Sequence, residues 1–136
     1  MTVIVCVDDV GGMTFNKRRQ SRDVEVCKDI IRSLDGKELY CSPYSKILFD
    51  EVGGKVVYVD DPLASAAEDG FCFIEDKSVC EYTEKITALI IYKWNKKYPS
   101  DKKLDISPVK AGFKLKGTYE FKGKSHEKIT KEVYRR

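Results

Sequence analysis

The first apolar segment constrains the fold of this chain more strongly than any other feature. Residues 3–7 read VIVCV, an unbroken and mostly β-branched run, and two aspartates and two glycines follow within the next five positions. An apolar strand without polar alternation is typical of a sheet that is covered on both faces. We therefore expect a central strand in an α/β domain, where ligands usually bind beyond the strand's carboxyl end.

Helix-like and strand-like segments alternate after this run. Residues 13–23 are too polar and irregular for a strand, and apolar residues at helical spacing then run from Val24 to Leu34. Ser21 is the expected N-cap of this helix and Gly36 its stop. Further strands are expected at residues 38–41, 56–59 and 71–74, with short helices around residues 44–49 and 63–68. Such alternation requires crossover connections, which predicts a mostly parallel sheet with helices on both faces.

The last third of the chain has a different pattern. Strands are expected at residues 86–94, 104–106 and 113–121, and the last of these alternates apolar and polar side chains. Residues 125–136 fit a helix or a strand by spacing, and we favour a strand because the Lys-Gly-Lys at 122–124 can turn the chain into a hairpin. The predicted fold is thus three-layered α/β, with a mixed, mostly parallel sheet and an antiparallel C-terminal hairpin. A length of 136 residues supplies one core, so we expect a single domain, 1–136.

Simple counts exclude several classes of protein. The longest apolar runs are far shorter than the ~20 residues of a membrane span, so we expect no membrane partner. The chain enters a strand at once, without the pattern of a signal peptide, and we expect a cytoplasmic protein. Its five cysteines form no C-x-x-C pair. Reduced, structural cysteines are therefore favoured over a zinc site or disulfides, and we assign no metal.

The densest group of polar residues follows the first strand. Its members are Asn16, Arg18, Arg19, Gln20, Ser21, Arg22 and Asp23. The forked donors of the three arginines suit a phosphate or carboxylate, and free N–H groups at the start of the helix would add to them. A solvated loop, whose arginines pair with Asp8, Asp9, Asp60 or Asp61, explains the same residues equally well.

Two smaller groups have structural interpretations that we favour. The Asp8-Asp9 and Asp60-Asp61 pairs each follow a strand and could meet at one edge of the sheet to hold Mg²⁺, but aspartate is also a common turn residue. His126, between Ser125 and Glu127, could suggest acid–base chemistry. Neighbours on a strand point to opposite faces, so we expect a hydrogen-bonding role for His126 at the end of the hairpin.

Charge is unevenly distributed along the chain. Residues 93–136 carry 14 basic and 5 acidic side chains, whereas residues 1–92 carry 11 basic and 17 acidic ones. Basic strands with interleaved aromatic residues could bind nucleic acid or an acidic protein. Lysines also protect an edge strand from aggregation, and we favour that explanation. Nucleic acid is thus the less favoured partner.

Four segments, residues 7–9, 12–21, 92–99 and 121–130, resemble a family of small bacterial proteins from Firmicutes. Some members of that family carry the label ribonuclease Z. The zinc chemistry of that enzyme needs a cluster of histidines, and His126 is the only histidine of this chain. We therefore set the label aside.

The order of elements, the Gly-Met after the first strand and the Ser-His before the last strand resemble the dihydrofolate reductase fold. This resemblance implies that a carboxylate at the start of the first helix, here Asp23, contacts a pteridine. Reductases of that family have a Gly-Gly pair after the strand that corresponds to 71–74, where this chain has Glu75-Asp76. Because two carboxylates would repel a dinucleotide phosphate, we expect no NADPH-dependent reduction.

The expectation from the sequence is thus a small anionic, nucleotide-like or pterin-like ligand above the first strand. Arg18, Arg19 and Arg22 would contact its anion and Asp23 its ring. No cofactor is assigned, and catalysis is left open. The rival function is binding of nucleic acid or an acidic protein by the basic C-terminal hairpin.

Overall fold

A computed structural model describes all residues from 1 to 136. The strands are β1 (Thr2–Val7), β2 (Gly12–Phe15), β3 (Arg18–Arg19), β4 (Leu39–Cys41), β5 (Val56–Tyr58), β6 (Phe71–Phe73), β7 (Ala88–Lys93), β8 (Lys102–Lys103), β9 (Lys114–Phe121) and β10 (Ile129–Arg135). The helices are α1 (Val24–Ser33), α2 (Lys46–Phe49) and α3 (Pro62–Ser65), with 3₁₀ turns at Pro43–Ser45 and Cys80–Lys85. No helix has the length and apolar character needed to cross a membrane.

Seven strands form the main sheet in the order β5-β4-β6-β1-β7-β10-β9. The first five of these are mutually parallel, and β10 runs antiparallel to both β7 and β9. Val3 lies between Cys72 of β6 and Leu89 of β7. The expected central strand, mostly parallel sheet and closing antiparallel hairpin are therefore confirmed.

Each face of the sheet carries its own core. Val3, Val5 and Val7 point into one core, which also holds Leu63 of α3. Ile4 points into the other core, where the helix α1 buries Ile30. Because both faces are covered, every position of β1 favours an apolar side chain, which explains the unbroken run.

A small second sheet lies beyond the carboxyl end of β1, with the order β3-β2-β8. The expectation that residues 13–23 contain no strand was wrong, because β2 and β3 form a tight hairpin. Its two turn residues, Asn16 and Lys17, have φ angles of 50° and 62°, the left-handed geometry that suits a two-residue hairpin. The strand expected at residues 104–106 was also wrong: β8 covers Lys102–Lys103, pairs with β2, and residues 104–106 form no strand.

The N-cap of α1 is Asp23, and the expectation of Ser21 was wrong. The Asp23 carboxylate accepts a hydrogen bond from the N–H of Glu25, and its extended backbone leads into the first turn. Both residue types cap helices well. Ser21 instead turns its hydroxyl toward His126, 105 positions along the chain.

Candidate functional site

Asp23 joins the start of α1 to the loop between β9 and β10. Its Oδ1 accepts from the N–H groups of Glu25 and Lys124, both at 2.9 Å. Its Oδ2 accepts from the N–H and hydroxyl of Ser125 and from Nδ1 of His126, at 2.9, 3.2 and 2.9 Å. Burial raises the pKa of Asp23, but these hydrogen bonds outweigh it and hold the pKa far below its usual range. The carboxylate is 0% exposed, and all of its acceptor capacity is used within the chain.

His126 is buried against Trp94, with the two rings stacked at 4.7 Å between centroids. Its Nδ1 faces Asp23, and its Nε2 lies 3.0 Å from Oγ of Ser21 and 3.3 Å from the hydroxyl of Tyr98. We call Ser21, Asp23, Trp94, Tyr98 and His126 the histidine cluster. The cluster ties α1, the end of β7 and the β9–β10 loop together.

The expected position of Ser125 relative to His126 was wrong. Ser125 was expected to point away from the imidazole, but its hydroxyl lies 3.3 Å from Nδ1. Strand alternation does not apply, because β10 begins only at Ile129 and residues 122–128 form a loop. Gly123 in this loop lies directly over Asp23, and a side chain there would collide with the carboxylate.

Asp8 also has an internal role. It accepts hydrogen bonds from the N–H groups of Val10, Gly12 and Tyr98, and from Nε2 of Gln20. Burial raises the pKa of Asp8, and these four donors lower it below its usual value. The carboxylate therefore fixes the turn after β1 and holds the β2–β3 region against the segment after β7.

The two Asp-Asp pairs do not converge. Asp60 and Asp61 follow β5, which is separated from β1 by β4 and β6, or about 14 Å at the usual strand spacing. Asp61 instead caps α3. No group of three metal-ligating side chains occurs in the chain.

Arg19 and Glu75 form a bidentate ion pair. Nε of Arg19 lies 2.8 Å from Oε1 of Glu75, and Nη2 lies 2.9 Å from Oε2. The Arg19 guanidinium also stacks on the ring of Tyr44, and Ser45 donates to Glu75 at 2.7 Å. The aspartates expected as the partners of the arginines were the wrong choice. Because Arg19 compensates the charge of Glu75, Asp76 is the only carboxylate of the Glu75-Asp76 pair without a counter-charge.

The residues expected to bind a ligand lie around two neighbouring hollows. The first is a narrow cavity of about 20 Å³ between β1, α1 and β6, with room for one or two water molecules. The expected residues that line it are Arg19, Gln20, Ser21, Arg22 and Asp23. The second is an open groove of about 490 Å³, which we call the hairpin groove. Its lining is Phe15, Asn16, Arg18, Arg19, Gln20, Tyr98 and Pro99.

Gln20 lies between the two hollows and has an unused acceptor. Its Nε2 donates to Oδ2 of Asp8 and to the carbonyl of Pro99, both at 3.2 Å. Its Oε1 is buried and has no hydrogen-bond partner. An unpaired buried acceptor costs about 1–3 kcal/mol, so this oxygen favours any ligand or water that brings a donor.

Several residues of the site had no signal near them in the sequence. Trp94 and Tyr98 reach the site from the segment after β7, Glu75 reaches it from the end of β6, and His126 reaches it from the last loop. The one available signal was their place after a strand, because parallel strands carry their carboxyl ends to the same edge.

The solved structure of dihydrofolate reductase from Enterococcus faecalis, complexed with NADP(H) and RAB-propyl, is similar to this chain over almost its whole length. The match covers 99% of this chain and 95% of the reductase, with a TM-score of 0.68 and 11% sequence identity. No protein-family model and no curated protein matches the sequence. The resemblance to the Firmicutes proteins and their ribonuclease Z label therefore has no support, whereas the expected likeness to dihydrofolate reductase in fold is confirmed.

Proposed function

We propose that this protein binds a small anionic ligand with a flat ring, of nucleotide or pterin type, in the hairpin groove. The observation that carries the proposal is the lining of this groove. It combines the free guanidinium of Arg18 with two aromatic rings and carries no acidic side chain. At about 490 Å³ the groove also falls within the usual range for small-molecule sites.

Arg18 is the residue proposed to hold the anion. Its side chain is exposed and makes no ion pair, and none of the seven residues that line the groove is acidic. The charge of Arg19 is already compensated by Glu75. An arginine fork without a competing carboxylate binds phosphate or carboxylate bidentately. Asn16 lines the same groove, whereas Arg22 lines the narrow cavity.

Phe15 and Tyr98 are proposed to contact the ring of the ligand. Phe15 is 41% exposed at the end of β2, and both Phe15 and Tyr98 line the groove. We assign Asp23 the role of positioning this region, because a direct contact with the ring would have to displace one of its internal donors.

We further propose that binding is not accompanied by NADPH-dependent reduction. Glu75 and Asp76 occupy the position where reductases of this fold have the glycine pair beside the cofactor phosphate. Arg19 compensates Glu75 only, and Asp76 makes no ion pair. The local charge therefore still opposes a dinucleotide phosphate.

Replacing Arg18 by alanine should weaken the binding of a nucleoside monophosphate about 10- to 100-fold, because one charge-assisted bidentate contact is lost. The measurement is a thermal-shift and calorimetric titration with guanosine monophosphate, folic acid and inorganic phosphate. Arg135→Ala is the matched control: it removes the same charge at the opposite end of the sheet, where Arg135 pairs with Ala88 at the start of β7. Equal affinities of the two variants, or no binding of any probe at millimolar concentration, would contradict the proposal.

A second function is favoured by one observation. β9 is an exposed edge strand, and its lysines Lys114 and Lys116, with Lys122 just beyond, make no ion pairs. Such a row could contact a nucleic-acid backbone or an acidic protein. If it does, affinity for a single-stranded oligonucleotide should fall steeply with salt, and replacing the three lysines by glutamine should reduce the slope of log affinity against log salt by about 2. Weak binding that salt does not change would count against this function.

A further inference from the structure

We propose that Ser21, His126 and Asp23 act as a nucleophile, a base and a positioning carboxylate, and that this protein hydrolyses small anionic esters at Ser21. This inference does not rest on ligand binding in the hairpin groove. It concerns the narrow cavity on the other side of Gln20, which Ser21 and Asp23 line.

The hydrogen bonds that link Ser21, His126 and Asp23 are those that activate a serine nucleophile. Oγ of Ser21 lies 3.0 Å from Nε2 of His126, and Nδ1 of the same ring lies 2.9 Å from Oδ2 of Asp23. A buried carboxylate on Nδ1 fixes the tautomer that keeps a lone pair on Nε2, and that lone pair accepts the serine proton. Stacking on Trp94 holds the plane of the imidazole.

The environment of Ser21 supplies two further requirements. The N–H groups of Ser21 and Arg22 donate to no group of the protein, so they are the donors we propose for the oxyanion. Ser21 is half-buried and lines the cavity, whereas His126 is only 5% exposed. A substrate therefore reaches the serine before it reaches the base.

The side chains around the cavity indicate the class of substrate. Arg22 is exposed, makes no ion pair and lines the same cavity as Ser21. It is thus available for a carboxylate or phosphate on the substrate. The cavity itself has room for only one or two water molecules, so the ester must lie over the exposed side of Ser21, and the cavity holds the water that hydrolyses the acyl-serine. A small ester with one negative charge matches the exposed guanidinium of Arg22 beside it.

The reaction balances with water as the second substrate. As Oγ of Ser21 bonds to the carbonyl carbon, its proton passes to Nε2 of His126. The bond from carbon to the alkoxy oxygen then breaks, and His126 returns the proton to the leaving alcohol. Water attacks the acyl-serine and gives a proton to Nε2. The bond from carbon to Oγ breaks, the acid leaves, and Oγ regains its proton.

Tyr98 is the competing donor at the base. Its hydroxyl lies 3.3 Å from Nε2, compared with 3.0 Å for Ser21. Replacing Tyr98 by phenylalanine removes this competition and keeps the ring. We expect the rate of ester hydrolysis to rise about threefold, and an unchanged or lower rate would show that Tyr98 does not compete with Ser21 for Nε2 of His126.

The test uses the full chain with diisopropyl fluorophosphate and the 4-nitrophenyl monoester of succinic acid. Mass spectrometry should locate one phosphoryl adduct on the peptide that contains Ser21. Ser21→Ala should lower ester hydrolysis at least 100-fold without changing the melting temperature by more than a few degrees. Ser42→Ala, a half-buried serine without a side-chain hydrogen bond at the start of a 3₁₀ turn, should hydrolyse the ester like the unchanged chain.

Labelling of the unchanged chain makes the result independent of any effect of substitution on folding. The absence of an adduct on Ser21 would overturn the proposal, as would hydrolysis by Ser21→Ala at the rate of the unchanged chain. Ser21→Cys provides a second readout. Its thiol beside His126 should react with iodoacetamide at least 10-fold faster than exposed Cys80 of the same molecule. Equal reactivity of the two thiols would show that the imidazole of His126 does not activate the side chain at position 21.

Discussion

Replacing Asp23 by alanine should lower the free energy of unfolding by about 3–5 kcal/mol, the range expected when one partner of a buried, hydrogen-bonded charge is removed. The carboxylate is fully buried and accepts from Glu25, Lys124, Ser125 and His126. Alanine leaves all of these donors without an acceptor. It also removes the cap of α1. Because the carboxylate holds both the start of α1 and the loop between β9 and β10, we expect this loss of stability to be the largest of any single polar substitution.

Chemical denaturation at pH 7 measures this loss, and Asp9→Ala is the matched control. Asp9 is exposed, sits after β1, and its carboxylate makes no hydrogen bond, so its removal should cost less than about 0.5 kcal/mol. A loss below about 1 kcal/mol for Asp23→Ala would show that the hydrogen bonds to its carboxylate contribute little.

The pH dependence gives a second readout of the same substitution. The pKa of Asp23 is lowered in the folded chain, so its contribution is complete above the unfolded value of about 4. This contribution is lost as the pH falls through the folded value. The difference in stability between the unchanged chain and Asp23→Ala should therefore be constant from pH 5 to 8 and should shrink below about pH 4. A difference that stays constant into acid would contradict this assignment of charge.

The substitution Glu75→Gln should cost about 2–4 kcal/mol. The side chains of Arg19 and Glu75 are 17% and 7% exposed, and the bidentate pair is supported by Ser45 and by the ring of Tyr44. Glutamine keeps the shape but leaves the Arg19 guanidinium without a counter-charge in a partly buried site. Its amide also places a donor where the guanidinium needs an acceptor.

A double-mutant cycle with Arg19→Met separates the pair from its surroundings. Methionine replaces the stem of Arg19 without its charge, so the double variant should be more stable than Glu75→Gln alone. We expect a coupling energy of about 1.5–3 kcal/mol between the two positions. Additive losses would mean that the two charges stabilise the fold independently, and the assignment of Glu75 as the compensated carboxylate would then be wrong.

Local patterns predicted the sheet because burial imposes them. The run at residues 3–7 is apolar at every position because Val3 and Ile4 face different cores. The alternation of β9 marked a strand correctly, although both of its faces are largely exposed. Neither pattern depends on which distant segment lies against it. The α/β class and the closing hairpin could therefore be read from the sequence.

The β2–β3 hairpin could not be read in this way. Its strands have four and two residues, too few for a period to show, and its turn depends on Asn16 and Lys17 adopting positive φ angles. Asparagine tolerates that conformation, and this was the one local signal. The pairing of β2 with β8 joins positions about 90 residues apart, which no local pattern encodes.

The position of the polar residues after β1 was predictable from the sequence, whereas their contacts were not. The polar residues after β1 do lie at the carboxyl edge of the sheet. Their division between the cavity and the hairpin groove depends on contacts made across the whole chain, such as Ser21 with His126 and Arg19 with Glu75. Ser21 and Asp23 were equivalent as capping residues in the sequence. Only the position of the last loop gives them different partners.

Binding of a small anion at the edge beyond β1 can be measured by nuclear magnetic resonance of the ¹⁵N-labelled chain titrated with guanosine monophosphate. We expect saturable shifts of the Arg18 side chain and of the backbone amides of Phe15, Gln20 and Tyr98. The amides of β9 and β10 should stay unchanged. Shifts confined to Lys114, Lys116 and Lys122, or no shift at millimolar nucleotide, would contradict it.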